Sequence, residues 1–207
     1  GLVFSVFQSG TWRLFTVGID GGEARPIGPA GARHPATALR AEGIAFAMDD
    51  SVHQLHLLDA SRPDAAPTPL FPSSASDMLP SLAPDGRQLV FVSYRSGRIG
   101  LWWGRVGDPA SLRWIEGVVP VPRHAASWSG DGRSVLLVGE RGGRSVLEEV
   151  DVGSGRATQL AVPEGEPVQA AYLPEGRLLV VVKLGDGHQR LDRYDRRHAP
   201  WRREASI

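Results

Sequence analysis

The chain has 207 residues, 42% of them hydrophobic, which is enough to build a buried core. Its 23 Lys and Arg balance 23 Asp and Glu, so no net field draws the segment toward nucleic acid or an anionic membrane. Cysteine is absent, which excludes a disulfide framework and a thiolate metal site, and no apolar run approaches the roughly 18 residues that span a bilayer. Any membrane attachment is therefore expected through a segment outside this chain, and no basic-then-apolar signal segment opens it.

With 25 Gly and 16 Pro at regular intervals, short strands are favoured over helices. Leu2–Val6, Trp12–Val17 and Ala24–Ile27 read as three strands, the last two joined by Asp20-Gly21-Gly22. Four more follow near Ala36–Leu39, Ile44–Met48, Val52–Leu58 and Thr68–Phe71, with a proline-rich loop over Ser61–Pro69. The stretch LPSLAPDGRQLVFVSYRSGRIGLWW, Leu79 to Trp103, contains three strands, and a fourth follows at Leu112–Ile115. In its first turn Pro84 presets φ, Asp85 can bond its own backbone, and Gly86 accepts the positive φ that closes a hairpin. Next come Ala125–Trp128, Ser134–Val138, Ser145–Val150 and Ala157–Leu160, and finally Val168–Leu173, Leu178–Lys183, Gln189–Tyr194 and Trp201–Ala205.

These strands repeat. The turn glycines Gly43, Gly86, Gly132 and Gly176 are separated by 43, 46 and 44 residues. Four strands per 40–45 residues is the signature of a propeller blade. Four residues before each glycine stands a bulky apolar residue, Leu39, Leu82, Trp128 or Tyr172, preceded by a small one, Ala38, Ser81, Ser127 or Ala171, which suits an innermost strand. The third strands share a leucine, Leu14, Leu55, Leu101, Leu147 and Leu191, followed four residues later in three blades by Asp59, Asp151 and Asp195. Second strands such as Ile44-Ala45-Phe46 and Leu89-Val90-Phe91 are apolar on both faces, as strands covered on both sides are.

The expected fold is all-β, a β-propeller of four-stranded antiparallel blades spanning about 1–30, 31–73, 74–117, 118–162 and 163–207. Counting back one period from Gly43 puts a turn glycine near position zero, so the first blade is expected to lack its innermost strand. The chain then reads as part of a longer protein, or as a ring completed from elsewhere. An unclosed stack of blades is expected to pair with itself.

Pro80-Ser81-Leu82-Ala83-Pro84-Asp85-Gly86-Arg87, with Leu89–Ser93 and Arg95-Ser96-Gly97, resembles the repeat of the TolB-like propellers, and Trp128-Ser129-Gly130-Asp131-Gly132-Arg133-Ser134 is a second match. The versions around Gly43 and Gly176 depart from it. Proteins with this repeat include the periplasmic TolB scaffold, propellers attached to prolyl oligopeptidase-like hydrolases, and sensory regions of membrane-anchored winged-helix regulators of the CadC/ToxR kind. Ser145–Asp151 with Gly153-Ser154-Gly155, together with an arginine-rich, lysine-poor composition, is most similar to the regulator group. That resemblance implies a non-catalytic sensory or protein-binding module on the periplasmic side of a bacterial inner membrane.

Chemistry within the chain has little to build on. The Asp-Gly turns lack the alternating ligands and distal glutamate of a calcium loop. His53 and His56 point to opposite faces of a strand and cannot chelate one metal. Neither Gly-x-Ser-x-Gly nor a phosphate loop occurs, so no catalytic residue, metal or cofactor is expected.

The site hypothesis is geometric. In a four-stranded blade the segment leading into the innermost strand and the loop between the second and third strands lie at one end, while the Asp-Gly turns lie at the other. Nine residues before the turn glycines are His34, Asp77, Arg123 and Pro167, with His124 and Glu166 adjacent. The same end carries Tyr94, Arg95, Arg98, Arg141 and Arg144. This face is expected to ring one channel mouth and to hold a protein or a small anionic ligand through paired hydrogen bonds. The alternative is a solvated rim whose arginines face nearby Asp and Glu. On the first reading, replacing Arg95 and Arg141 with Ala leaves folding unchanged.

Overall fold

The computed structural model describes residues 1–8, 11–38, 43–48, 52–62, 64–198 and 201–206. The chain forms two compact units, Gly1–Trp114 and Ile115–Ile207. Every sheet is a meander of consecutive strands, and each is a propeller blade.

The first unit begins with a three-stranded blade, β1 (Leu2–Gln8), β2 (Thr11–Gly18) and β3 (Gly21–Ile27). Blade 2 is β4 (Ala32–Thr37), β5 (Gly43–Met48), β6 (Gln54–Asp59) and β7 (Thr68–Leu70). Blade 3 is β8 (Asp77–Leu82), β9 (Gln88–Ser93), β10 (Gly100–Arg105) and β11 (Asp108–Ile115). The two-faced second strand is explained by packing. Ile44 and Phe46 of β5 meet Leu14 of blade 1, whereas Ala45, on the opposite face, packs with Phe71, Leu82, Leu89 and Phe91 toward blade 3. Phe71 and Phe91 stack at 5.9 Å.

Strand register moves one repeat marker. Ile44 opposes Thr37 as Leu89 opposes Leu82, Val135 opposes Trp128 and Leu178 opposes Tyr172. From Ile44 to Leu89 is 45 residues, from Leu89 to Val135 is 46, and from Val135 to Leu178 is 43. Gly43 therefore lies inside β5, opposite Asp59, rather than at the turn. Packing rather than turn geometry accounts for it, since a Cβ there would stand 3.3 Å from Leu57. Leu39, Ala41 and Glu42, expected around that turn, lie outside the described residues, and Thr37 holds the register position of Leu82.

The other turns follow their sequence. Gly86 and Gly132 have φ of 72° and 69°, and their N–H groups donate to Ala83 O and Ser129 O. Asp85 and Asp131 accept from the N–H of Arg87 and Arg133. In blade 5 the turn is tighter. Arg177 N–H closes on Pro174 O, with Glu175 and Gly176 both at positive φ, the primed geometry that matches strand twist. The recurrent aspartates that end the third strands cap the next turn: Asp59 accepts from Ser61 N and Oγ, Asp151 from Ser154 N and Oγ, and Asp195 from Arg197 N. Those bonds from Ser61, with one from Arg62, draw the Asp59 pKa down to about 2.

The second unit holds blade 4, β12 (Ser127–Trp128), β13 (Ser134–Arg141), β14 (Arg144–Asp151) and β15 (Ala157–Leu160). Blade 5 is β16 (Glu166–Leu173), β17 (Arg177–Lys183), β18 (Gln189–Asp195) and β19 (Arg202–Ser206). Leu136, Val138 and Leu147 pack on Ala170, Leu178 and Val180 between them. A polar link lies beside this core, where Glu149 of β14 accepts from Tyr172 Oη at 2.6 Å and from both Arg196 Nη atoms at 2.5 and 3.0 Å.

Blade 4's innermost strand is shorter than the expected Ala125–Trp128. Val121 N–H donates to Val138 O and Glu140 N–H to Val119 O, so pairing with β13 starts early, stops, and resumes at Ser127. Residues 122–126 leave the sheet in between. Pro120 and Pro122 have no N–H to give to a ladder, which weakens continuous pairing at this point.

Candidate functional site

In the first unit the expected residues build an internal lock. Asp77 opens β8 and is 1% exposed. Its Oδ1 accepts from Arg95 Nε at 3.0 Å, and its Oδ2 from Arg95 Nη2 at 2.6 Å and Ser73 Oγ at 3.1 Å. Arg95 Nη2 also donates to Phe71 O at the end of blade 2, and the guanidinium lies over the Phe91 ring at 5.3 Å. Arg95 therefore faces inward. Tyr94 beside it remains exposed, and the exposed Arg98 guanidinium stands 4.8 Å over Trp114. His34 is half-buried at positive φ in the irregular part of β4, just before Pro35.

In the second unit Arg141 meets an acid of its own hairpin. Its Nε and Nη2 lie 2.6 Å from Glu148 Oε1. Glu148 is 1% exposed, and a Cβ on Gly139 would collide with its other oxygen. Arg95 and Arg141 thus answer buried carboxylates of their own blades. Removing either would leave a buried acid without its counter-charge, and the loss is then expected in folding stability.

Other members of the expected set converge elsewhere. A cleft of about 300 Å³ opens between the ends of blades 4 and 5, opposite the Asp-Gly turns. Arg123 reaches it from the excursion at 122–126, Arg144 from the two-glycine turn between β13 and β14, and Lys183 from the end of β17. Among the described residues none of these three cations has an ion pair or a side-chain hydrogen bond. Two carboxylates share the cleft. Glu166 accepts from Ser145 N–H at 3.2 Å, which fixes it across the blade boundary, while Glu140 makes no such bond. The remaining wall is apolar, made by Val121, Val138, Pro167 and Val168.

Val168 is the extra residue of a β-bulge, since Pro167 opposes Val182 and Gln169 opposes Val181. A bulge leaves its extra residue unpaired with the neighbouring strand and turns side chains toward a site. Gly165, at φ 78°, lets the segment before β16 close on β17, because a Cβ there would stand 2.9 Å from Lys183 O. His124, next to Arg123, is exposed. Desolvation by the surrounding chain and then the Arg123 charge lower its pKa, so the ring is neutral at pH 7 and the cleft's positive charge comes from Arg and Lys.

Sequence reasoning brought Arg123, Arg144, Glu166 and Pro167 to this end of the blades but passed over Lys183 and Glu140. The signal was present: both stand at the far end of a second strand, Lys183 as its last residue and Glu140 as its last but one, and by register they occupy matching positions in successive blades.

No protein-family model matches the chain, and no curated protein matches it. Solved structures do. TolB from Acinetobacter baumannii superposes with a TM-score of 0.74 at 16% identity, over 89% of this chain and 46% of that one. A protein named as a TolB from Agrobacterium tumefaciens gives 0.74 at 16% identity, over 99% of this chain and 71% of that one. A puromycin hydrolase gives 0.69 at 22% identity, over 98% of this chain and 36% of its own length. This chain thus spans about half of the first of these structures. At such identities the likeness concerns architecture, and together with the five blades it shows that this chain has a TolB-like β-propeller fold.

Proposed function

We propose that the chain is a non-catalytic binding module, and that the cleft between blades 4 and 5 receives an anionic group of a protein partner or a small ligand. One observation carries this reading: three cations meet at one cleft with no internal carboxylate holding them, whereas Arg95, Arg141 and Arg196 are each paired. Guanidinium groups without internal partners can offer paired, charge-assisted hydrogen bonds to an incoming carboxylate.

The wider role follows the resemblance in the repeat. We read the module as the sensory part of a bacterial membrane-anchored transcriptional regulator, on the periplasmic side. Likeness to the puromycin hydrolase supports a second reading, the non-catalytic propeller of a prolyl oligopeptidase-like hydrolase, and a TolB-type scaffold would use the same kind of surface. Neighbouring coding sequence separates them: a winged helix and a membrane span upstream support the regulator, an α/β-hydrolase downstream the peptidase.

The cleft itself is tested by an NMR titration of the full chain with propionate. Amide shifts are expected at Arg144, Ser145 and Lys183, and they should vanish in an Arg123→Ala, Arg144→Ala, Lys183→Ala triple variant. Shifts that survive the triple substitution would place carboxylate binding elsewhere and overturn the reading.

A further inference from the structure

Resting on that reading, we infer that the group the cleft receives is a single α-carboxylate borne by an apolar residue, as a free amino acid or as the C terminus of a peptide. Size is the first argument. About 300 Å³ is at the lower limit of ligand pockets, room for one residue rather than an extended segment.

Charge is the second. Arg123, Arg144 and Lys183 stand against Glu140 and Glu166, a surplus of one positive charge. A phosphate dianion or a run of acidic side chains would bring further negative charge against those two glutamates, and like charges so close are costly. A peptide's terminal carboxylate balances the cleft, and a free amino acid brings its ammonium to Glu140 without adding net negative charge.

The walls supply the third argument. An α-carboxylate comes with a nitrogen and a side chain on the same carbon. The Glu140 carboxylate, which holds no internal hydrogen bond among the described residues, can accept from that nitrogen as an amine or a peptide N–H. Val121, Val138 and Val168 offer an apolar surface for the side chain, and fixing Glu166 on Ser145 N–H keeps the second glutamate from competing for the arginines.

Isothermal titration of the full chain compares four probes: the tripeptide Ala-Ala-Val with a free carboxylate, its C-terminal amide, Ala-Ala-Asp, and free valine. The Ala-Ala-Val acid should bind at least about tenfold more tightly than the amide, the factor that loss of a charge-assisted hydrogen bond produces. Ala-Ala-Asp should also be weaker, and Arg144→Ala should remove the preference for the acid. Valine binding as tightly as the tripeptide assigns a free amino acid, and a tighter tripeptide assigns a chain terminus. Equal affinity of acid and amide, equal affinity of the Val and Asp peptides, or no binding by either the Ala-Ala-Val acid or valine overturns the inference. If propionate still shifts the cleft amides in that event, carboxylate binding stands and only the apolar α-carboxylate falls.

Discussion

Arg95 in the first unit and Arg141 in the second have the same address in their blades, nine residues after the turn glycine, yet they are held by different acids. The difference lies nine residues before the turn glycine. Blade 3 has Asp77 there, buried and within 2.6 Å of Arg95. Blade 4 has Arg123 there, a second cation, and Arg141 turns instead to Glu148 of its own hairpin. An acid at the start of the innermost strand holds the loop arginine, whereas a base there leaves that arginine to an acid of its hairpin and stands with the later Arg144 at a cleft open to a ligand.

The comparison breaks most visibly at Asp77. Its replacement by Ala strands a guanidinium that is 11% exposed, and should cost about 3–5 kcal/mol in urea unfolding, the usual penalty for orphaning one side of a buried pair. A loss below about 1 kcal/mol would mean that Arg95 finds water and that the lock is not structural.

Blade 5 sharpens the same point through pH. Asp192 is fully buried, which by itself would raise its pKa, but hydrogen bonds from Arg190, Ser206 and Tyr194 outweigh burial and bring it from 3.8 to about 2. A depressed folded-state pKa gives stability that is present above the unfolded value and lost as pH falls through the folded one. The advantage of wild type over Asp192→Asn should therefore be flat from neutral pH down to about 4 and shrink between there and pH 2. An advantage that grew on acidification would refute this account of the lock.

The smallest effect is expected at the cleft. Arg144→Ala should change unfolding free energy by less than about 0.5 kcal/mol, as surface substitutions without partners do, while carboxylate binding is weakened. A large loss of stability would show that Arg144 belongs with Arg95.

The fold was legible because its signals are local. A Pro-Asp-Gly turn, an alternating small and bulky pair, and a two-faced apolar strand each need only a few residues, and Gly86 and Gly132 sit where those signals put them. Gly43 misled because a glycine kept for close packing against Leu57 looks the same in sequence as one kept for positive φ. Half of the candidate site was legible too, since strand parity sends Arg123 and Arg144 to one end. Parity could not say that Asp77 turns toward Arg95 or that Glu148 lies under Arg141, because those contacts depend on how side chains cross a blade in three dimensions.

The polar locks also bear on how the blades find their neighbours. Asp77 opens an innermost strand, Glu149 lies within a third strand, and their arginines arrive from a second-to-third loop in one case and from beyond a third strand in the other. Sheets that share one backbone plan and similar apolar faces could in principle stack in the wrong order, a known failure of repeat proteins. Stacked on any sheet but blade 5, blade 4 would bury the Glu149 charge without Arg196 or Tyr172. The pair of Asp77 and Arg95 lies within blade 3 and reaches blade 2 only through Phe71 O, so of the two the Glu149 lock is the one that keys a blade by charge, and the penalty for misplacing that charge selects blade 5 as the partner of blade 4 from near-identical parts.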